Sequence, residues 1–201
     1  AHCVTTGKLY EHRRAFFEAF AKRLPLPITD AFFAVRNYAD FFASSYVEYL
    51  RAATNTTRGH MDKPEVKRRK LFGSLTSWVG VFDDFEAEFH EVRIHIWRYE
   101  DFSAFGTTLY DRLLKPGAAK AVTPDPEIRR AGLSQEAANW FQAQEHHDKA
   151  TVQEARQRFP KKGPETAFHP WSANDRAALD KSYKRDVARL ADRDDVTLLA
   201  P

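Results

Sequence analysis

The sequence predicts an α/β protein: a parallel sheet flanked by helices, with a helix-rich C-terminal part. Three observations carry that expectation. Two short apolar runs, Ala31–Val35 and Val92–Tyr99, end in polar or charged residues. The continuous run Ala31–Val35 fits a strand buried on both faces of a parallel sheet, and in Val92–Tyr99 Ile94 and Ile96 share one face. Around them the apolar residues recur at helical spacing, and beyond Ser134 that spacing dominates as far as Leu190.

Composition sets the bounds. A chain of 201 residues that is 43% hydrophobic, with 16 Phe and 4 Trp, folds, and its length fits one domain, residues 1–201. Its 31 basic and 28 acidic residues give a net charge of +3. That slight excess suits an anionic ligand and is too weak to argue for nucleic acid. One Cys, Cys3, excludes an intrachain disulfide and fits a reducing, cytoplasmic setting. No apolar run approaches the roughly 20 residues of a membrane span. The opening Ala1-His2-Cys3 has no initiator Met and no signal-peptide pattern, and reads as a start within a domain.

In order, His2–Thr6 is short and β-branched and reads as a first strand, ended by Gly7. Phe16, Phe17, Phe20 and Leu24 then mark an amphipathic helix over 10–24, stopped by Pro25 and Pro27. With the strand at Ala31–Val35 this forms a βαβ unit, which is parallel and right-handed. The turn Arg36-Asn37 leads into a helix through Phe41, Phe42, Ser45 and Tyr49. The crevice beyond the carboxyl end of such a strand is a usual ligand site. There Arg36 offers a fork of donors suited to phosphate oxygens, with Ser44 and Ser45 on the following helix. The alternative is an Arg that caps the strand or pairs with Asp40.

Residues 53–63 read as a loop, and Pro64 suits the first position of a helix whose pattern runs through Leu71, Leu75, Trp78, Val79, Phe82, Phe85 and Phe89. The second strand, Val92–Tyr99, ends in Tyr99-Glu100-Asp101; His90 and His95, on a turn and on this strand, lack metal-ligand spacing. A short helix around Leu109–Leu114 and a Pro- and Gly-containing connection, 115–126, come next. Ser134 is an N-cap for a long helical pattern ending near Pro160, with Glu136 at its positive end. After a loop over 161–171, Ser172 and Asp175 open the last helix as a variant capping box. Leu179, Tyr183, Val187 and Leu190 form its stripe.

Three features in one order resemble the bacterial type of the sulfotransferase family, whose donor is 3′-phosphoadenosine 5′-phosphosulfate (PAPS). They are Arg36 with Ser44 eight residues on, Tyr99-Glu100-Asp101 at a strand end, and the S-x-x-D-R-x-x-L-x-x-x-Y pattern from Ser172. The resemblance spans about 30–190 and implies a P-loop-like sulfotransferase fold. It implies that Arg36 and Ser44 converge on the donor's 3′-phosphate, that Tyr99 meets the adenine, and that Arg129, Arg130 and Gly132 belong to a basic loop closing the donor site. The implied reaction moves a sulfuryl group to a hydroxyl or amine, carbohydrate acceptors included, and calls for no metal. The family's 5′-phosphosulfate loop has no match in residues 1–201, so the reading favours a piece of a longer protein, with transfer by residues 1–201 alone not expected. Among His2, Glu11 and His12, the residues where the family places its base, His2 is the best candidate. The rival is a non-catalytic α/β module that binds a nucleotide or a partner. No motif speaks to oligomeric state or to the acceptor's identity.

Overall fold

A computed structural model describes residues 10, 12–52, 72, 77–114, 116–122, 132–145 and 148–201. The expected first strand at His2–Thr6, the loop over 53–63 and the helix start at Pro64 lie outside the described residues. Those that are described fall into two compact units, one within Ala1–Glu11, Tyr38–Thr76 and Arg130–Asp180, the other within His12–Asn37, Ser77–Arg129 and Lys181–Pro201.

The second of these units holds a three-stranded parallel sheet in the order β1 (Asp30–Val35), β2 (Arg93–Arg98), β3 (Val196–Leu198). The mixed α/β class and the parallel pairing of the two apolar runs are as the sequence predicts. Alternation along the strands gives the sheet two faces. On one, Phe33 of β1 meets Phe82 and Phe85 of helix α3 (Trp78–Glu86) at ring-centroid distances of 5.1 Å each. Ile94 and Ile96 are buried, and helix α1 (Arg13–Ala21) adds Phe17 against Phe85. On the other face Phe32 and Trp97 pack with Phe105 of α4 (Phe102–Phe105), Leu109 and Leu113 of α5 (Thr108–Leu113), and Leu199.

Burial of β1 on both faces does not hold. Val35 is buried, but Ala34 is exposed and the remaining four residues are half-buried. The reason is position: among the described strands β1 is an edge, paired with β2 alone. The third strand is absent from the sequence reading altogether. The helical pattern running to Phe89 is also corrected, because Ser77 has extended backbone and caps a helix that begins at Trp78. The buried carboxylate of Asp186 accepts from the Trp78 N–H at 3.2 Å, so two side chains satisfy this helix start.

The other unit is helical. Tyr46 and Val47 of α2 (Tyr38–Ala52) pack with Ala137, Ala138 and Phe141 of α6 (Gln135–Gln142) and with Val152 and Ala155 of α7 (Lys149–Arg158). Ser134 caps α6 as expected, accepting from Ala137 N–H at 3.0 Å. The expected long helix from Ser134 to Pro160 is two helices. Asp148, extended and accepting from Thr151 N–H at 2.8 Å, is a second N-cap in mid-pattern. Ser172 and Asp175 form the expected cap of α8 (Ala173–Ala191): the Asp175 N–H donates to Ser172 Oγ at 3.1 Å, and that hydroxyl donates to the carboxylate at 2.8 Å.

Candidate functional site

The site is built at the carboxyl ends of β1 and β2. Their register pairs Val35 with Arg98, so the next residues, Arg36 and Tyr99, emerge side by side. The Arg36 guanidinium carbon lies 4.8 Å from the centre of the Tyr99 ring. Such a contact at an exposed site contributes about 0.5–1 kcal/mol and fixes the plane of the cation. Tyr99 is half exposed and Arg36 half-buried. Among the described residues the guanidinium has no hydrogen bond and no carboxylate partner.

Three successive backbone groups behind Arg36 are held in place. The phenol of Tyr183 lies 2.9 Å from Glu100 Oε2, to which it donates, and 3.3 Å from the Val35 carbonyl. Trp78 Nε1–H donates to the Arg36 carbonyl at 2.9 Å. The N–H of Asn37 donates to Glu100 Oε1 at 2.7 Å. Burial, and then the neighbouring Glu100 carboxylate, push the Tyr183 phenol well above the usual tyrosine range, so it remains a donor. The Tyr99-Glu100-Asp101 triplet thus splits by role. Glu100 ties the strand ends together, and Asp101 takes a two-pronged bond from Arg98 at 2.7 and 2.9 Å. Tyr99 alone presents its ring outward.

The structure therefore brings together Arg36 and Tyr99. Ser44 stands in the second turn of α2, half-buried, in the helical unit. Gly132, also there, is exposed with open space about its Cα. His2, Arg129 and Arg130 lie outside the described residues. Glu100, Trp78 and Tyr183 were not expected as site-builders. Glu100 and Tyr183 each sat inside a quoted motif, but their partners are far away in sequence.

Among the described residues no three His, Cys, Asp or Glu side chains gather as a metal ion would require, and no helix is long and apolar enough to cross a membrane. Comparisons with protein-family models, curated proteins and solved structures gave no match. A guanidinium without a carboxylate partner among the described residues, beside an exposed aromatic ring, can hold a planar base and an anionic group at once.

Proposed function

We propose that the chain binds a 3′-phosphorylated adenine nucleotide through Arg36 and Tyr99, and that it serves sulfuryl transfer from PAPS to a hydroxyl or amine. The observation carrying the reading is the Arg36 guanidinium, without a carboxylate partner among the described residues and stacked on Tyr99 at adjacent parallel strand ends. The resemblance of Arg36, Ser44, Tyr99 and the Ser172 helix to bacterial sulfotransferases supplies the identity of the nucleotide, and with it the finer P-loop-like form of the fold. In this reaction the sulfur–oxygen bond to the donor phosphate breaks and a bond from sulfur to the acceptor forms. The acceptor's proton passes to a base. Arg36 and Tyr99 bind and orient the donor; positioning of this kind supplies much of the acceleration in group transfer.

Calorimetry with 3′-phosphoadenosine 5′-phosphate, the spent donor, tests the reading. A charge-assisted bond to phosphate is worth about 1.5–3 kcal/mol, so Arg36→Ala weakens binding by about one to two orders of magnitude. Tyr99→Ala weakens it as well, while Tyr99→Phe retains most of the stacking. Equal affinities for the parent chain and Arg36→Ala remove Arg36 from the site and the reading with it.

A further inference from the structure

A second cluster, in the helical unit, centres on His169. Its backbone is tethered on several sides. Its own N–H donates to Gln135 Oε1 at 3.3 Å, Phe168 N–H donates to the Leu133 carbonyl at 2.9 Å, and Trp171 Nε1–H donates to the Ala39 carbonyl at 3.0 Å. The backbone around the ring is held as a result, and most of the side chain is covered. Its Nδ1 is enclosed and makes no hydrogen bond, facing Asp40 Oδ1 at 3.8 Å. Its Nε2 also has no partner among the described residues, and it is not enclosed.

A ring with one nitrogen turned to a carboxylate and the other open is arranged to accept a proton at the open one. Such contacts are often long before a ligand closes them. The charged groups that bear on the ring are Asp40 from α2, Lys161 from the loop, and Arg176 and Asp180 from α8. Arg176 and Lys161 are exposed cations whose charge bears on the ring, and burial, and then Arg176, hold it below the usual histidine range. Near neutral pH the ring is an acceptor in a setting that attracts negative charge.

We propose that His169, with Asp40 behind it, forms together with Arg176 and Lys161 a site for a hydroxyl-bearing anion, whose O–H is received by Nε2. The ligand oxygen gains electron density as its proton moves onto Nε2, and Asp40 balances the charge that the ring acquires. Naming this anion as the acceptor of sulfuryl transfer rests on the reading above; the binding site itself does not.

Hydrogen phosphate and sulfate are the probes, because both are tetrahedral and doubly charged and only the first carries an O–H. At about pH 8, where His169 is neutral, nuclear magnetic resonance titration is expected to show phosphate bound about fivefold more tightly than sulfate, the worth of one neutral hydrogen bond. The preference vanishes in His169→Ala. Asp40→Asn reduces it. Should His169→Ala fail to fold, the ring nitrogen shifts of the parent chain decide, since the site requires the proton on Nδ1. Equal affinity for the two ions at this pH, a preference that survives loss of His169, or a proton on Nε2 overturns the proposal. Failure to bind the adenine nucleotide with this discrimination intact overturns only the transferase reading.

Discussion

Glu100 is the residue on which the order of the candidate site depends. Its two oxygens accept from Asn37 N–H and Tyr183 O–H, groups 63 and 83 residues away in the chain. Removing the carboxylate leaves the Asn37 N–H to find water and the buried phenol with only the longer contact to the Val35 carbonyl. Glu100→Ala is therefore expected to cost about 1–3 kcal/mol in urea unfolding. In a Tyr183→Phe background the same change should cost about 1 kcal/mol less, because one donor is already gone. Simple additivity of the two changes would show that the bond is not formed in solution. The triplet around Glu100 was legible as a motif at a strand end, yet its division of labour was not. Spacing along the chain identifies Tyr99, Glu100 and Asp101 alike. Only the distant partners show that Glu100 and Asp101 are occupied and Tyr99 is free to meet a ligand.

At the scale of elements, what the sequence made legible were periods, and what it hid were interruptions supplied by polar side chains. The pattern from Ser134 to Pro160 is helical throughout, but Asp148 captures the Thr151 N–H and starts a new helix. A side chain that offers its own turn competes with continuation, and apolar periodicity does not register it. Strand β3 was hidden for a related reason. It has three residues, only Val196 of them buried, and it follows a charged turn rather than Gly or Pro. That turn is held by Arg193, which reaches Asp83 at 2.8 Å and Glu86 at 2.6 Å on α3, and Asp195 at 2.8 Å beside β3. The Asp195 pairing raises the Arg193 pKa above the usual arginine range and lowers that of Asp195. The guanidinium is mostly covered while its α3 partners are exposed, so the network is worth less than the sum of its contacts. Arg193→Met is expected to cost about 1–2 kcal/mol, with the difference shrinking in high salt. A variant as stable as the parent at low salt would show that the network contributes nothing.

Across the whole chain, the shifted groups set an order in which acid and alkali act. Asp30 is held well below the usual carboxylate range by Arg93 first, then His95 and Thr29, and Asp195 is lowered by Arg193. His169 is lowered by burial. Each binds fewer protons folded than unfolded in its own window, so stability rises with pH there and falls on acidification. The windows differ: His169 begins to act below about pH 6.5, and the two aspartates only below about pH 4. Tyr183 is shifted upward, so its contribution is complete below about pH 10 and is lost above that. His169 belongs to the helical unit, whereas Asp30 and Asp195 belong to the sheet unit. Lowering the pH from about 7.5 to about 5.5 should therefore weaken protection of amides around His169, such as Phe168 and Ala138, and spare β1 and β2. Amide hydrogen exchange, corrected for intrinsic rates, reads both regions in one experiment. His169→Gln cannot take up the proton, and its protection around position 169 should no longer change over this range. If the variant keeps the parent's loss, the acid sensitivity belongs to another group, and the half-buried imidazole is not what couples this unit to pH.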